Sequence, residues 1–269
     1  EYLDTGYWSS KVVTEARREG PVKVLWSGES CGFNRLPADE ELAFSPDAPY
    51  LHYVSNETVE GLQFQRVLGR DDVPRVCDMS SDFLSKPCDA NKFSVIYAHA
   101  QKNIGPAGVT IVLVHDTVVK ASSDELPSFL NYRRQVESHS NLNTPPVFAI
   151  YVVLLVTRWL LNDVGGLENM EQTNRHKAEL LYAMLDNSNG FYNGWSSKAD
   201  RSSMNVAFKL PDADLEKKFL AESHEAGFSG LAGHRAIGGI RASIYNALSL
   251  PAAEKLTNFM DDFMRKNRK

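Results

Sequence analysis

The sequence has little cysteine, and the cysteines it has form no pattern. Cys31, Cys77 and Cys88 are odd in number and show no CxxC spacing. Neither a disulfide framework nor a cysteine-based zinc site is predicted, and no metal is expected. Because disulfides persist mainly in oxidising compartments, this cysteine usage favours a protein of the reducing cytoplasm.

Long apolar runs and an excess of positive charge are also missing. The longest apolar stretch, 147–156, is interrupted by Thr157 and Arg158, whereas a membrane-spanning helix needs about 20 apolar residues. We therefore interpret this stretch as a buried helix and expect no membrane association. The formal net charge of −5 argues against general binding to nucleic acid, so an anionic substrate must be met by a local cluster of cationic side chains.

Short apolar segments rich in β-branched and aromatic residues follow one another through the first half of the chain. They are 22–26, 50–55, 75–78, 93–98 and 109–115. Their apolar runs are nearly continuous, as expected for strands whose two sheet faces are both covered by helices. Helix signals between them are weak. The first half therefore predicts an α/β fold in which some crossover connections are irregular.

The second half has a different organisation. Two helices are predicted at 145–161 and 167–185, on either side of a glycine-containing break. Beyond Gly190, strands and helices alternate at 203–208, 214–225, 240–246 and 252–268. This α+β tail reads as a small domain of its own. We therefore divide the chain into a large domain, 1–165, and a small C-terminal domain, 166–269.

A lysine and an aspartate each lie at the end of a predicted strand. Lys102 comes shortly after segment 93–98, and Asp78 ends segment 75–78. Taken singly, such a lysine is usually a solvated loop residue and such an aspartate a turn former or helix cap. In open α/β sheets, however, ligands bind beyond the carboxyl ends of strands. Together the two residues fit pyridoxal phosphate, which needs a lysine amine for a Schiff base and a carboxylate opposite its pyridine nitrogen.

Five segments, in order along the chain, resemble the signature blocks of the phosphoserine aminotransferases. They are NET at 56–58, CDMSS at 77–81, AQKNIGPAG at 100–108, NTPP at 143–146 and GHRAIGGIRAS at 233–243. The likeness extends from about Tyr2 to the C-terminus. It implies a pyridoxal-phosphate-dependent transferase of fold type I, similar to aspartate aminotransferase, with a mainly parallel sheet in the large domain and a small α+β C-terminal domain.

The resemblance also implies roles for the residues that contact the cofactor. Lys102 is expected to carry pyridoxal 5'-phosphate and to move the substrate Cα proton. Asp78 is expected to pair with the pyridine nitrogen and Thr58 to bond the ring hydroxyl. Trp8 is expected to stack on the ring and Gln101 to contact the cofactor phosphate. From the residues alone, Trp8 reads as a core aromatic side chain.

Further roles fall to residues outside these strand ends. Asn143 and Thr144 are expected to reach the cofactor phosphate of the neighbouring subunit in a homodimer with shared active sites, although Asn-Thr-Pro-Pro alone reads as a helix start. Arg241 is expected to bind the substrate α-carboxylate through its planar guanidinium. His234 and Arg235 are expected to hold the substrate phosphate, and His234 also fits a basic surface turn.

The implied activity transfers the amino group of glutamate to 3-phosphohydroxypyruvate, giving O-phosphoserine and 2-oxoglutarate for serine biosynthesis. In bacterial relatives the same site also serves vitamin B6 (pyridoxine) biosynthesis. A related cofactor enzyme, such as a desulfurase or another aminotransferase of small substrates, is a weaker alternative, because His234, Arg235 and Arg241 favour a phosphorylated substrate.

Two features depart from the family pattern. His99 stands where glycine is expected, and we interpret it as a structural histidine with satisfied hydrogen bonds rather than a side chain directed at the cofactor. The chain opens at Glu1 without methionine or a visible signal peptide, and we expect an N-terminal portion with a phosphate-binding loop to be absent. The alternative function is therefore a truncated, catalytically impaired or non-catalytic homologue that acts as a scaffold.

Overall fold

A six-stranded sheet organises the first half of the chain in the computed structural model, which describes residues 1–268. The elements of this half are β1 (Tyr2–Asp4), α1 (Tyr7–Glu19), β2 (Val24–Ser27), β3 (Leu51–Val54), β4 (Asn56–Glu57), β5 (Leu62–Gln63), β6 (Arg75–Asp78), β7 (Val95–His99), α2 (Ala100–Asn103), β8 (Thr110–Val114), α3 (Asp116–Ala121) and α4 (Tyr132–Glu137). All five strands predicted here are present within a few residues of their predicted bounds. The sheet order is β2-β1-β3-β6-β7-β8.

The pairing of these strands is parallel except at one edge. The pairs of β1 with β2 and β3, of β3 with β6, and of β6 with β7 are parallel, and β7 pairs with β8 antiparallel. The prediction of a mainly parallel sheet is thus confirmed. In this register Val54 lies beside Asp78, and Asp78 beside Tyr97. The carboxyl ends of three neighbouring strands therefore lie side by side at the same end of the sheet.

The second half packs around a separate group of buried side chains. Its elements are α5 (Val147–Asn162), α6 (Leu167–Asp186), β9 (Asn193–Gly194), β10 (Asn205–Lys209), α7 (Ala213–Glu225), β11 (Ile240–Ser243) and α8 (Leu250–Asn267). Strands β11, β10 and β9 form an antiparallel sheet. One buried cluster spans residues 178–263, and another spans residues 3–96. The domain boundary near Gly165 stays a prediction.

Helix α5 differs from its predicted environment. We expected a buried helix, but in this chain only Ala149 and Leu160 of α5 are buried, while Phe148 is 74% and Leu161 70% exposed. The prediction of burial was wrong because the chain itself covers only one side of the helix. Within residues 1–268, no single helix is long and apolar enough to span a membrane, and only α5 and α6 taken together, bent by 91°, satisfy length and composition.

Two further differences from the predicted elements concern segments whose backbone groups form hydrogen bonds with side chains. Helix α1 was not predicted, because its N-cap residue is Gly6, which offers no capping side chain, and its N–H groups bond to carboxylates from the later segment 57–60. The strand expected at 240–246 ends at Ser243. Residues 244–248 form a loop whose carbonyls accept hydrogen bonds from a buried lysine, Lys177.

Candidate active site

A cavity of about 610 Å³ opens where the strands β3, β6 and β7 end. The residues of its wall that bear on chemistry are Trp8 and Lys11 of α1, Asp78 of β6, Tyr97 and His99 of β7, and Gln101 and Lys102 of α2. Four residues predicted from the sequence to contact a cofactor therefore share one cavity. They meet because adjacent parallel strands have their carboxyl ends at the same end of the sheet.

Lys102 presents its amine to the face of an indole ring. Its Nζ lies 4.6 Å from the ring centroid of Trp8. Burial lowers the pKa of Lys102, whereas the negative charges of Asp78 and Glu57 act in the opposite direction. A lowered pKa leaves more of the amine neutral near pH 7, and a neutral amine is the nucleophilic form.

Asp78 is held at the end of β6 by backbone contacts. Its Oδ1 accepts a hydrogen bond of 2.8 Å from the N–H of Ser80, and its carbonyl oxygen accepts a bond of 2.9 Å from the N–H of Ser55. Both contacts fix the orientation of a half-buried carboxylate at the cavity wall. The side chain is therefore available to one positively charged or protonated group inside the cavity.

Trp8 is oriented by the segment that follows β4. Its indole Nε1 donates a hydrogen bond of 2.9 Å to Oγ1 of Thr58, and the ring is half-buried at the cavity wall. The interpretation of Trp8 as a core aromatic side chain was therefore wrong. Thr58 is not part of the cavity wall as described, but the shared hydrogen bond places its hydroxyl beside the indole. A hydroxyl that accepts one bond keeps its own proton to donate.

Three basic residues of the last sequence block, on β11 and in the loop before it, lie near Tyr7 and Thr58. Arg241 donates from Nη1 to the carbonyl of Thr58 at 3.4 Å, and its buried Nε has no hydrogen-bond partner among the described residues. The ring of His234 packs on Tyr7 with centroids 4.5 Å apart. Burial lowers the pKa of His234, and the charges of Arg241, Arg235 and Lys11 lower it further.

Lys11 belongs to this cationic group, although the sequence did not indicate it. Its Nζ lies 4.8 Å from the ring centroid of Tyr7 and 5.5 Å from that of Trp8. Hydrogen bonding from Lys11, followed by that from Arg235, lowers the pKa of Tyr7. The signal that could have found Lys11 is its position one helical turn after Trp8. That signal has no meaning until α1 is known to be a helix.

The remaining predicted residues are all exposed to solvent. Gln101 is exposed at the cavity wall. Asn143 and Thr144 are exposed in the loop before α5 and are not part of this wall, so their contact with a neighbouring subunit stays a prediction. His99 bonds through Nδ1 to Oγ1 of Thr110 at 2.8 Å, which agrees with a satisfied structural histidine, while its exposed ring also borders the cavity.

A pair of buried carboxyl groups supports the start of α1. Glu57 accepts hydrogen bonds from the backbone N–H groups of Trp8 and Ser9 at 3.0 and 2.9 Å. Glu60 accepts one from the N–H of Tyr7 at 3.0 Å, and its Oε2 is buried without a partner among the described residues. These contacts satisfy the N–H groups that a helix leaves unpaired at its N-terminus.

The two carboxyl groups both lie close to Gly6 and therefore near each other. A Cβ placed on Gly6 would lie 2.6 Å from Oε2 of Glu60 and 2.8 Å from Cδ of Glu57. Burial, followed by the nearby charge of Glu57, raises the pKa of Glu60 to about 8. Because Glu57 accepts the greater number of hydrogen bonds, we assign the charge to Glu57 and the proton to Glu60 at neutral pH.

The raised pKa of Glu60 predicts a pH-dependent stability. From the ordinary pKa of 4.5 up to the folded-state value of about 8, the folded chain binds more protons than the unfolded chain, so the free energy of unfolding falls as pH rises through this window. We expect Glu60→Gln to flatten that fall and to stabilise the protein more at the top of the window than at its bottom. Urea unfolding at a series of pH values measures both effects.

The matched control is Glu179→Gln, because Glu179 is an exposed glutamate of α6. We expect this variant to keep the wild-type pH dependence. A Glu60→Gln profile that parallels the wild-type profile over the whole window contradicts the assignment of a buried proton to Glu60.

Comparison with known proteins identifies the kind of protein that carries this cavity. Residues 2–256 match the family model for class-V aminotransferases. The chain is similar to the phosphoserine aminotransferase of Rhodopirellula baltica, with 44% identity over 99% of this chain and 71% of that protein. It is similar to that of Desulfosudis oleivorans, with 47% identity over 99% of this chain and 73% of that protein. The solved phosphoserine aminotransferase of Bacillus circulans subsp. alkalophilus superposes with a TM-score of 0.96 at 46% identity, covering 98% of this chain and 73% of that one. The chain therefore belongs to the phosphoserine aminotransferases, within the class-V aminotransferase family.

Proposed function

We propose that this protein transfers the amino group of glutamate to 3-phosphohydroxypyruvate, giving O-phosphoserine and 2-oxoglutarate, with pyridoxal 5'-phosphate as its cofactor. The observation that carries the proposal is the half-buried amine of Lys102, which shares a cavity with Asp78 in a member of this family. Serine biosynthesis in the cytoplasm is the expected setting, and three free cysteines agree with it.

The side chains of the cavity fit pyridoxal phosphate. Lys102 supplies a primary amine of lowered pKa, Asp78 a carboxylate, and Trp8 an aromatic face. When bound, the cofactor supplies an electron-withdrawing ring that stabilises negative charge at the substrate Cα. We propose that Asp78 holds the proton of the pyridine nitrogen, that Thr58 bonds the ring hydroxyl, and that Gln101 contacts the cofactor phosphate.

Lys102 has two tasks in this proposal. Its Nζ would hold the cofactor covalently, and the same amine would take the proton from the substrate Cα. Both tasks need a neutral amine in reach of the reacting carbon, and the burial that lowers the pKa of Lys102 favours this form. The ring of Trp8 limits the space that Nζ can occupy, because the two are 4.6 Å apart.

Substrate anions are bound by the basic residues near Tyr7 and Thr58. We propose that Arg241 binds the α-carboxylate, because its buried Nε lacks a partner within residues 1–268 and its planar fork suits a carboxylate. His234 and Arg235, together with Lys11, bind the substrate phosphate. A dianionic phosphate opposes the neighbouring cations that lower the pKa of His234, so binding favours a protonated histidine.

We further propose a homodimer with shared active sites, in which Asn143 and Thr144 reach the cofactor phosphate of the partner subunit. The supporting observation is the apolar face of α5, which begins directly after these residues and leaves Val147 69% and Tyr151 54% exposed. Sedimentation equilibrium at micromolar concentration is expected to show a dimer. A monomer throughout this range contradicts this part of the proposal.

Turnover and its dependence on Arg235 test the proposed reaction. We expect phosphoserine formation from glutamate and 3-phosphohydroxypyruvate in a coupled assay. Arg235→Ala is expected to raise the KM for the phosphorylated substrate by about tenfold or more, because it removes a charge-assisted hydrogen bond, and to change the KM for glutamate little.

The control variant is Arg175→Ala, since Arg175 is an exposed residue of α6 that pairs with Glu171 outside the cavity. It is expected to match the wild type. Unchanged preference for the phosphorylated substrate in Arg235→Ala contradicts the assigned phosphate site, and the absence of turnover in the wild type supports the scaffold alternative instead.

A further inference from the structure

Three buried asparagines connect the turn that carries Lys102 to the loop after β11. They are Asn103, Asn174 and Asn246, exposed by 7%, 1% and 3%. The backbone N–H of Asn246 donates to Oδ1 of Asn103 at 2.9 Å, and Nδ2 of Asn174 donates to Oδ1 of Asn246 at 2.8 Å. We call these three residues the amide clamp.

The other amide groups of the clamp bond to one short backbone segment. Nδ2 of Asn103 donates to the carbonyl of Phe83 at 2.7 Å, and Nδ2 of Asn246 donates to that of Leu84 at 2.8 Å. Nδ2 of Asn174 also donates to the carbonyl of Ser85 at 3.1 Å. Because a backbone N–H and three carbonyls must be matched, only one orientation of each amide makes these bonds. Oδ1 of Asn174 is buried without a partner among the described residues.

The loop that contains Asn246 is fastened from its other side by Lys177. The Nζ of this lysine donates to the carbonyls of Ile244, Tyr245 and Leu248 at 3.0, 2.9 and 3.0 Å. Its side chain is fully buried, and burial alone lowers its pKa, to about 8. The loop is therefore positioned by side chains from two directions rather than by pairing within a sheet.

The amide clamp connects the segment that carries Lys102 with the segment that carries Arg241. Asn103 follows Lys102 directly in α2, and Asn246 lies five residues after Arg241. Lys102 provides the amine that takes the Cα proton, and Arg241 binds the carboxylate on that same carbon. The separation of these two groups decides whether the proton is in reach, and a misplacement of about 1 Å can lower a rate by about 10²-fold.

We propose that Asn103 and Asn246 are positioning residues that fix the turn of Lys102 relative to the strand of Arg241. This role rests on the proposed transamination. Neither asparagine is part of the cavity wall. Asn103 acts through the backbone of α2, and Asn246 through the loop that continues from β11. Buried amides suit this task because any displacement leaves polar groups unpaired, which makes a single arrangement strongly preferred.

The test compares Asn103→Ala and Asn246→Ala with Tyr192→Phe. Tyr192 donates a buried hydrogen bond of 2.8 Å to the carbonyl of Met260 in the core of the second half. Its loss lowers stability without a direct link to the cavity, so Tyr192→Phe serves as the matched structural control. Thermal unfolding of all variants gives the loss of stability against which the other effects are compared.

Two readouts separate positioning from stability. In the cofactor-free protein, we expect Asn103→Ala to speed amide hydrogen exchange at residues 240–248 by about tenfold or more, since it removes the bond that ties this loop to α2. In the loaded enzyme, both asparagine variants are expected to weaken affinity for pyridoxal phosphate and to lower kcat/KM for glutamate about tenfold. Tyr192→Phe is expected to change neither value, even if it loses as much thermal stability.

The outcomes distinguish this inference from the proposed function. If the wild type turns over and the asparagine variants match Tyr192→Phe in exchange and in kcat/KM, the positioning role is overturned and the transamination stands. If the wild type shows no turnover, the transamination falls, and unchanged exchange in Asn103→Ala then overturns the clamp as well. Should Asn103→Ala fail to fold, the exchange and kinetics of Asn246→Ala decide, because this variant keeps the backbone N–H that bonds Asn103.

Discussion

The parallel pairing of β6 with β7 is the constraint on which the candidate site depends. It sets Asp78 beside Tyr97 in register, and the chain leaves β7 directly into the short helix that carries Lys102. A carboxylate and an amine 24 residues apart in the sequence are therefore brought to the same end of the sheet by backbone hydrogen bonds. Trp8, Thr58 and the basic residues are then added to an arrangement that the sheet has already determined.

The ionisation of side chains around the cavity depends on burial as much as on neighbouring charges. The chain has a formal net charge of −5, yet Lys11, Arg235 and Arg241 lie close enough to His234 for their charges to lower its pKa. The carboxyl groups behind the start of α1 reduce their mutual repulsion when Glu60 retains a proton. Burial acts on Lys102 in the opposite sense and lowers its pKa. The low polarity of the surroundings thus favours the neutral form of both an acid and a base.

The parts of the site that depend on a local sequence pattern could be predicted from the sequence. Strand ends mark Asp78 and Lys102, and the apolar runs predict the parallel sheet. Helix α1 was missed because its N-terminus is satisfied by Glu57 and Glu60, whose approach requires the folded chain. The amide clamp was missed for the same reason, since the bond between Asn246 and Asn103 joins residues 143 positions apart. The burial of α5 was predicted wrongly because an apolar pattern shows that a face needs cover without showing whether the same chain supplies it.

We propose that Nζ of Lys102, and no other amine of the chain, binds the cofactor. Reduction with borohydride in the presence of pyridoxal phosphate, followed by mass mapping of peptides, tests it most directly. We predict a single stoichiometric label on Lys102, and none on Lys11 or the buried Lys177. Labelling spread over exposed lysines, or an unlabelled Lys102 in a protein that is folded, would contradict the assignment of Lys102 as the cofactor-binding residue.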